Sequence, residues 1–167
     1  MTDLVIKRAT GSDVPAINAL YNVFVKDTAV TFDIQPTTDE ERMVWFEKFS
    51  GRGPYQLFVA EREGAFVGYA GTMMFRVKEA YKTSVETTIY VDPSAAGKGT
   101  GLALYETLFA ALEGQNVHRA YAGISLPNEP SIALHEKLGF TLIGIYNEVG
   151  FKLGKYWDVA WYEKKIL

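Results

Sequence analysis

The apolar positions change period along the chain, and each change marks an element. Leu4-Val5-Ile6-Lys7-Arg8-Ala9 is a short apolar-led run that predicts an opening strand. Ser12 or Asp13 can cap a helix with Pro15 in its first turn, and Val14, Ile17, Leu20, Tyr21 and Phe24 recur at helical spacing. Asp39-Glu40-Glu41 opens a second helix whose apolar side takes in Met43, Trp45, Phe46 and Phe49; acidic groups suit that end of the helix dipole. The period then shortens to that of strands. Residues 56–61 and 65–72 read as a hairpin turning near Glu63-Gly64. Residues 83–91 are rich in β-branched side chains (Val85, Thr87, Thr88, Ile89, Val91) and predict a central strand, ended by Asp92-Pro93.

A glycine-rich turn, Gly97-Lys98-Gly99-Thr100-Gly101, leads into a helix from Leu102 to Leu112 that stops at Gly114. A strand follows over 117–124. Asn128-Glu129-Pro130-Ser131 starts a helix over 132–138, closed by Gly139. Residues 141–149 and 157–165 predict a closing antiparallel pair. No repeat, low-complexity tract or linker interrupts the pattern, so residues 1–167 are expected to form one domain. The order is that of a mixed α/β domain, a single sheet with helices on both faces.

Composition narrows the chemistry. The chain has 48% apolar residues, no cysteine, and two histidines, His118 and His135. Disulfides, thiolate nucleophiles and Cys-based metal centres are excluded, and no metal site is expected. A net charge of −3 gives no electrostatic footprint for nucleic acid or anionic lipid. No segment approaches a membrane span, and the first ten residues lack a signal-peptide apolar run; the expectation is a soluble cytoplasmic protein.

The strand, glycine turn and helix around residues 89–112 carry the sharpest chemical signal. Glycines admit close backbone approach, and the first amides of a helix are free to hold an anion such as a pyrophosphate. A P-loop requires Gly where Asp92 stands and a hydroxyl residue where Gly99 follows Lys98. A dinucleotide fingerprint requires Gly at Leu102 and an acid near Arg119 and Tyr121. Neither nucleotide motif is met, and a turn that merely reverses the chain is the competing reading.

Val91-Asp92-Pro93 with Ala96-Gly97-Lys98-Gly99-Thr100-Gly101 resembles the acetyl-coenzyme A signature of the GNAT N-acetyltransferases. Asn128 followed by 134–140, Leu-His-Glu-Lys-Leu-Gly-Phe, resembles that family's next motif. Residues 85–91, 126–131 and 149–159 are similar to the phosphinothricin and methionine sulfoximine acetyltransferases within it, and the resemblance spans essentially the whole chain.

The resemblance implies the GNAT fold, with a mixed, mostly antiparallel sheet. It also implies transfer of acetyl from acetyl-coenzyme A to a primary amine by direct attack in a ternary complex. Ile89, Tyr90 and Val91 would pair with the pantetheine arm. Gly97, Lys98, Gly99, Thr100, Gly101 and Leu102 would hold the pyrophosphate, and Asn128 would touch the coenzyme further along. Ala96 departs from the pattern, where the family has Gln or Arg, and weaker coenzyme binding is expected from it.

An amine arrives protonated, so a base must accept its proton. Glu86, a charged residue inside a β-branched strand, matches the family's catalytic Glu, although strand glutamates are often merely exposed. His135 matches the position of a thiolate-protonating Tyr, occupied by His in the phosphinothricin subfamily; acid and base roles both stay open. His118 has no partner motif and is read as structural. Arg76 is the candidate clamp for an acceptor carboxylate, with Phe75 and Phe32 as pocket walls; a solvated basic loop competes with that reading. The resemblance further implies a homodimer whose segment around Phe151 to Trp157 helps complete the pocket. The expected acceptor is the amine of a small amino acid or analogue. Another small amine, a protein N-terminus, or a non-catalytic acyl-coenzyme A sensor are the alternatives.

Overall fold

The computed structural model describes residues 3–166. Seven strands form one sheet in the order β1-β2-β3-β4-β5-β7-β6. They are β1 (Leu4–Arg8), β2 (Leu57–Arg62), β3 (Ala65–Met74), β4 (Ser84–Val91), β5 (Arg119–Ser125), β6 (Thr141–Lys152) and β7 (Lys155–Lys165). The helices are α1 (Val14–Asp27), α2 (Asp39–Phe46), α3 (Thr100–Leu112) and α4 (Glu129–Lys137). Every strand pair is antiparallel except β4 with β5.

Alternation along β2 decides which helices lie on which face. Leu57 and Val59 pack with Ile17 and Leu20 of α1, with Trp45 and Phe46 of α2 beside them. Phe58 and Ala60 point the other way, onto Leu104, Tyr105 and Leu108 of α3. Leu112 of α3 and Ile132 of α4 pack with Ala120, Ala122 and Ile124 of β5 on that same side. The expected mixed sheet with helices on both faces is present, with β4 at its centre. Among the described residues no helix is long and apolar enough to cross a membrane.

Two expectations need correction. The closing strands are longer than the pattern indicated: β6 and β7 run to Lys152 and from Lys155, joined by Leu153-Gly154 with φ of +54° and +77°. Two positive φ values make the primed hairpin turn that matches strand twist. Leu at its first position hid that turn from the sequence, since Asn or Asp is usual there. α2 ends at Phe46, so Phe49 lies beyond it, and the helix buries Arg42 as well as half-burying Met43, Trp45 and Phe46.

Candidate active site

β4 and β5 pair only through Ser84–Arg119, Val85–Ala120 and Glu86–Tyr121. Beyond that point each keeps its outer neighbour, β4 staying with β3 as far as Val91 and β5 with β7 as far as Ser125. The two parallel strands therefore part at the middle of the sheet. At the fork the Thr87 hydroxyl donates to the Tyr121 carbonyl at 3.3 Å, so a side chain takes over where the backbone ladder ends.

The fork opens into a cavity of about 400 Å³, lined by residues 87–90 of β4 and 122–125 of β5. Because it passes between the strands it reaches both faces. Tyr21, Arg42 and Trp45 line it on the α1/α2 side, and Tyr105 and His135 on the α3/α4 side.

A second cavity, about 480 Å³, continues from the fork along the start of α3. Ile89, Tyr90, Val91, Gly97, Gly99, Thr100, Gly101, Leu102 and Asn128 all line it, as does Ala96; Lys98 does not. Gly97 and Gly99 have φ of +72° and +79°, and nothing lies within 4 Å of where their Cβ atoms would be. This leaves the turn open to a ligand, beside the unpaired first amides of α3. The set fits an elongated ligand carrying a phosphate group. From behind, Arg62 of β2 donates to the Lys98 carbonyl at 3.1 Å and to the Thr100 hydroxyl at 3.2 Å. Asn128 lines both cavities and caps α4, accepting from the Ser131 amide at 3.3 Å.

Glu86 and His135 face the first cavity from opposite sides of the sheet. Glu86 lies on the α1/α2 face, and its carboxylate makes no hydrogen bond or ion pair with any described residue. Burial pushes its carboxyl above the ordinary range, and the Arg76 guanidinium pulls weakly the other way. His135 is 2% exposed. Its Nδ1 lies 2.7 Å from the Ser131 carbonyl, an acceptor only, so Nδ1 carries the proton and donates. Nε2 then offers its lone pair to the Tyr105 hydroxyl at 3.1 Å. Burial lowers the imidazole's pKa, against the pull of the Ser131 carbonyl, which favours the neutral ring this pattern requires.

Phe32 lines a smaller cavity beside the first, with Glu86, Gly123, Tyr146 and Trp161. Its ring lies so close on Gly150 of β6 that a Cβ there would overlap it. Phe75 stacks on Tyr121, the register partner of Glu86, at 4.3 Å between ring centroids. Arg76 is exposed, lies over the Phe75 ring at 4.4 Å, and reaches Glu86 only through its field. Neither Phe75 nor Arg76 lines the cavities described above. His118 is exposed and pairs through its backbone with Thr83 and Ile166, away from the site.

Sequence reasoning missed the wall made by Tyr21, Asp33, Arg42, Trp45 and Tyr69, and it missed Tyr105. One signal was available: Arg42 stands in register with Trp45, Phe46 and Phe49, a charge on the buried stripe of a helix. Tyr21 and Tyr105 gave none, since both are apolar-face residues of their helices.

A sequence model of the acetyltransferase (GNAT) family matches residues 17–140. The chain belongs to the GNAT family. It is 47% identical over 163 residues to a phosphinothricin N-acetyltransferase of Streptomyces coelicolor, covering 96% of this chain and 95% of that one. It is 32% identical to an L-methionine sulfoximine/L-methionine sulfone acetyltransferase of Pseudomonas paraeruginosa, over 96% and 94% of the two chains. Among solved structures, a GNAT phosphinothricin acetyltransferase from Sinorhizobium meliloti in complex with acetyl-coenzyme A superposes with a TM-score of 0.92. That protein is 33% identical, with 97% of this chain and 88% of its own covered. The forked strands and the turn before α3 thus belong to an acetyl-coenzyme A-dependent N-acetyltransferase.

Proposed function

We propose that this GNAT protein acetylates the primary amine of a small amino acid or analogue, of the phosphinothricin or methionine sulfoximine type, in the cytoplasm. The observation that carries this reading is the fork between β4 and β5, which joins the cavity of the glycine turn to the carboxylate of Glu86. Acetyl-coenzyme A supplies an activated acyl group as its thioester. Ile89, Tyr90, Val91 and Asn128 hold its arm, and residues 97–102 hold its phosphates, with Ala96 giving up a side-chain contact there.

The incoming ammonium loses two protons as its nitrogen bonds to the acyl carbon and the carbon–sulfur bond breaks. Glu86 takes the first, and its raised pKa brings it nearer to that of an amine. The second ends on sulfur. On the other face the Tyr105 hydroxyl lies 3.1 Å from His135 Nε2 and 3.3 Å from Thr87 Oγ1, and this pair shapes the leaving-group side of the fork. His135 is in this reading a positioning residue. Arg76, whose charge reaches Glu86 through space from outside the cavities, draws the α-carboxylate to that side of the reacting amine; Phe32 walls the pocket, and Phe75 stacks on Tyr121 and carries Arg76 over its ring.

Edge strand β6 exposes Leu142, Ile143, Ile145, Tyr146 and Phe151, an apolar row that supports a homodimer formed through this hairpin. The test is a thiol-release assay across amino acids, their decarboxylated amines and peptides. Turnover is expected on amino-acid-like acceptors, and Arg76→Ala is expected to lower it more for amino acids than for the matched amines. Coenzyme binding without thiol release on any amine overturns the enzyme reading.

A further inference from the structure

Among the described residues Arg42 is a buried cation without a counter-ion. It is 5% exposed, with its guanidinium 4.1 Å from the ring centroid of Tyr21 and 4.7 Å from that of Trp45. Nε donates to Asn18 Oδ1 at 3.4 Å, and Nη2 donates to Thr37 Oγ1 at 3.2 Å. Nη1 has no hydrogen-bond partner among the described residues, and no described carboxylate pairs with the group. Asp33, on the same cavity wall, takes the Tyr21 hydroxyl instead.

Burying an unpaired charge is costly, and two neutral acceptors do not offset it fully. The aromatic sandwich lessens the cost and fixes the plane of the fork. What such a held fork binds well is a planar or tetrahedral oxyanion.

Its place in the cavity says which part of a ligand it meets. Met73 is the register partner of Glu86 across β3 and β4. Trp45 Nε1 donates to Met73 Sδ at 3.3 Å, and Arg42 lies beyond, over Trp45. Glu86, Met73, Trp45 and Arg42 all line one cavity. An α-carboxylate, two bonds from the amine, is too close to Glu86 to reach past both side chains. A group at the far end of the acceptor's side chain is not.

We propose that Arg42 binds the acidic end of the acceptor, remote from the amine that faces Glu86. The ligand class is a small amino acid whose side chain ends in an oxyanion, a carboxylate or a phosphinate. This rests on the amino-acid acceptor reading above and adds to it the group that sets specificity.

Phosphinothricin and methionine sulfone test this directly, because they share a skeleton and a methylated tetrahedral end and differ in one negative charge. Binding of each to the full chain saturated with coenzyme A is measured by calorimetry, and turnover of each is measured with acetyl-coenzyme A. The wild-type protein is expected to prefer phosphinothricin by about 10- to 100-fold, the worth of one charge-assisted hydrogen-bonded pair. Arg42→Met is expected to bring the two ligands to within about threefold, with coenzyme affinity unchanged. Arg42→Lys, which keeps the charge and loses the fork, is expected to retain part of the preference, and it carries the test where Arg42→Met does not fold. Equal loss on both ligands, an unchanged preference, or no binding of either overturns the proposal. Discriminating binding without turnover leaves the Arg42 assignment standing and removes the acetyl-transfer reading. Turnover with an unchanged preference does the reverse.

Discussion

Replacing Glu86 by Gln removes one charge and nearly no volume, so it isolates the proton-accepting role proposed for Glu86. Glu86 has no described hydrogen-bond partner to orphan, and burial already holds its carboxyl above the ordinary range. With Glu86 as base, the productive pair is carboxylate and ammonium. kcat/KM should rise through the raised pKa of Glu86 and then stay level until the acceptor amine itself titrates, near pH 8 or above. The Gln variant can use only the neutral amine, which is about 1% of the total two pH units below its pKa. The deficit is therefore at least about 10²-fold near pH 6, and up to about 10⁴-fold in all, or roughly 3–5 kcal/mol of barrier. It should shrink about tenfold for each pH unit approaching the amine's pKa. The sign for stability is opposite. A carboxyl with a raised folded pKa costs the folded state stability once pH exceeds its unfolded value, so Glu86→Gln should melt at a higher temperature than wild type at pH 7. Thiol release from pH 5 to 9, together with thermal melts, measures both. A level deficit across pH, or unchanged turnover, refutes the base role, and a lower melting temperature refutes the burial argument.

Three further outcomes are expected. Gly150→Ala puts a methyl into the Phe32 ring and should raise the acceptor KM about 10-fold while leaving coenzyme affinity intact, as steady-state kinetics and calorimetry would read. Arg62→Met removes both Nη2 hydrogen bonds behind the glycine turn and should weaken coenzyme binding about 3- to 10-fold without changing the preference among acceptors. For His135, the folded pKa lies below the unfolded value, so the unfolded chain takes up the proton first. Stability is thus full above about pH 6.5 and falls as pH drops through the folded pKa, and His135→Gln should flatten that part of the melting profile. Nitrogen NMR at pH 7 should also find the proton on Nδ1 of His135, and a proton on Nε2 would remove His135 as an acceptor for the Tyr105 hydroxyl.

Much of the molecule was legible in the chain because it depends on neighbours in sequence. Periodicity marked every helix and strand. The glycine turn could be read as an anion site because positive φ and free helix amides are local properties. Glu86 stood out as a charge in a β-branched strand, and the motifs around Gly97 and His135 marked residues that line the two cavities at the fork. Arg42 could have been found the same way, as a charge on a buried helical stripe.

Other features depended on where strands end their pairing, and no local pattern reports that. The parting of β4 from β5 after Glu86 is set by their opposite loyalties to β3 and β7, and it alone makes a cavity through the sheet. The same parting sets Glu86 and His135 on opposite faces of one channel. Burial then shifted their pKa values in opposite senses: a carboxyl raised by desolvation, an imidazole lowered and hydrogen-bonded to Ser131 and Tyr105. Sequence determined which groups this protein carries and which backbone conformations hold them. Tertiary structure decided which of them share one low-dielectric space, because desolvation and long-range pairing come from residues dozens of positions away.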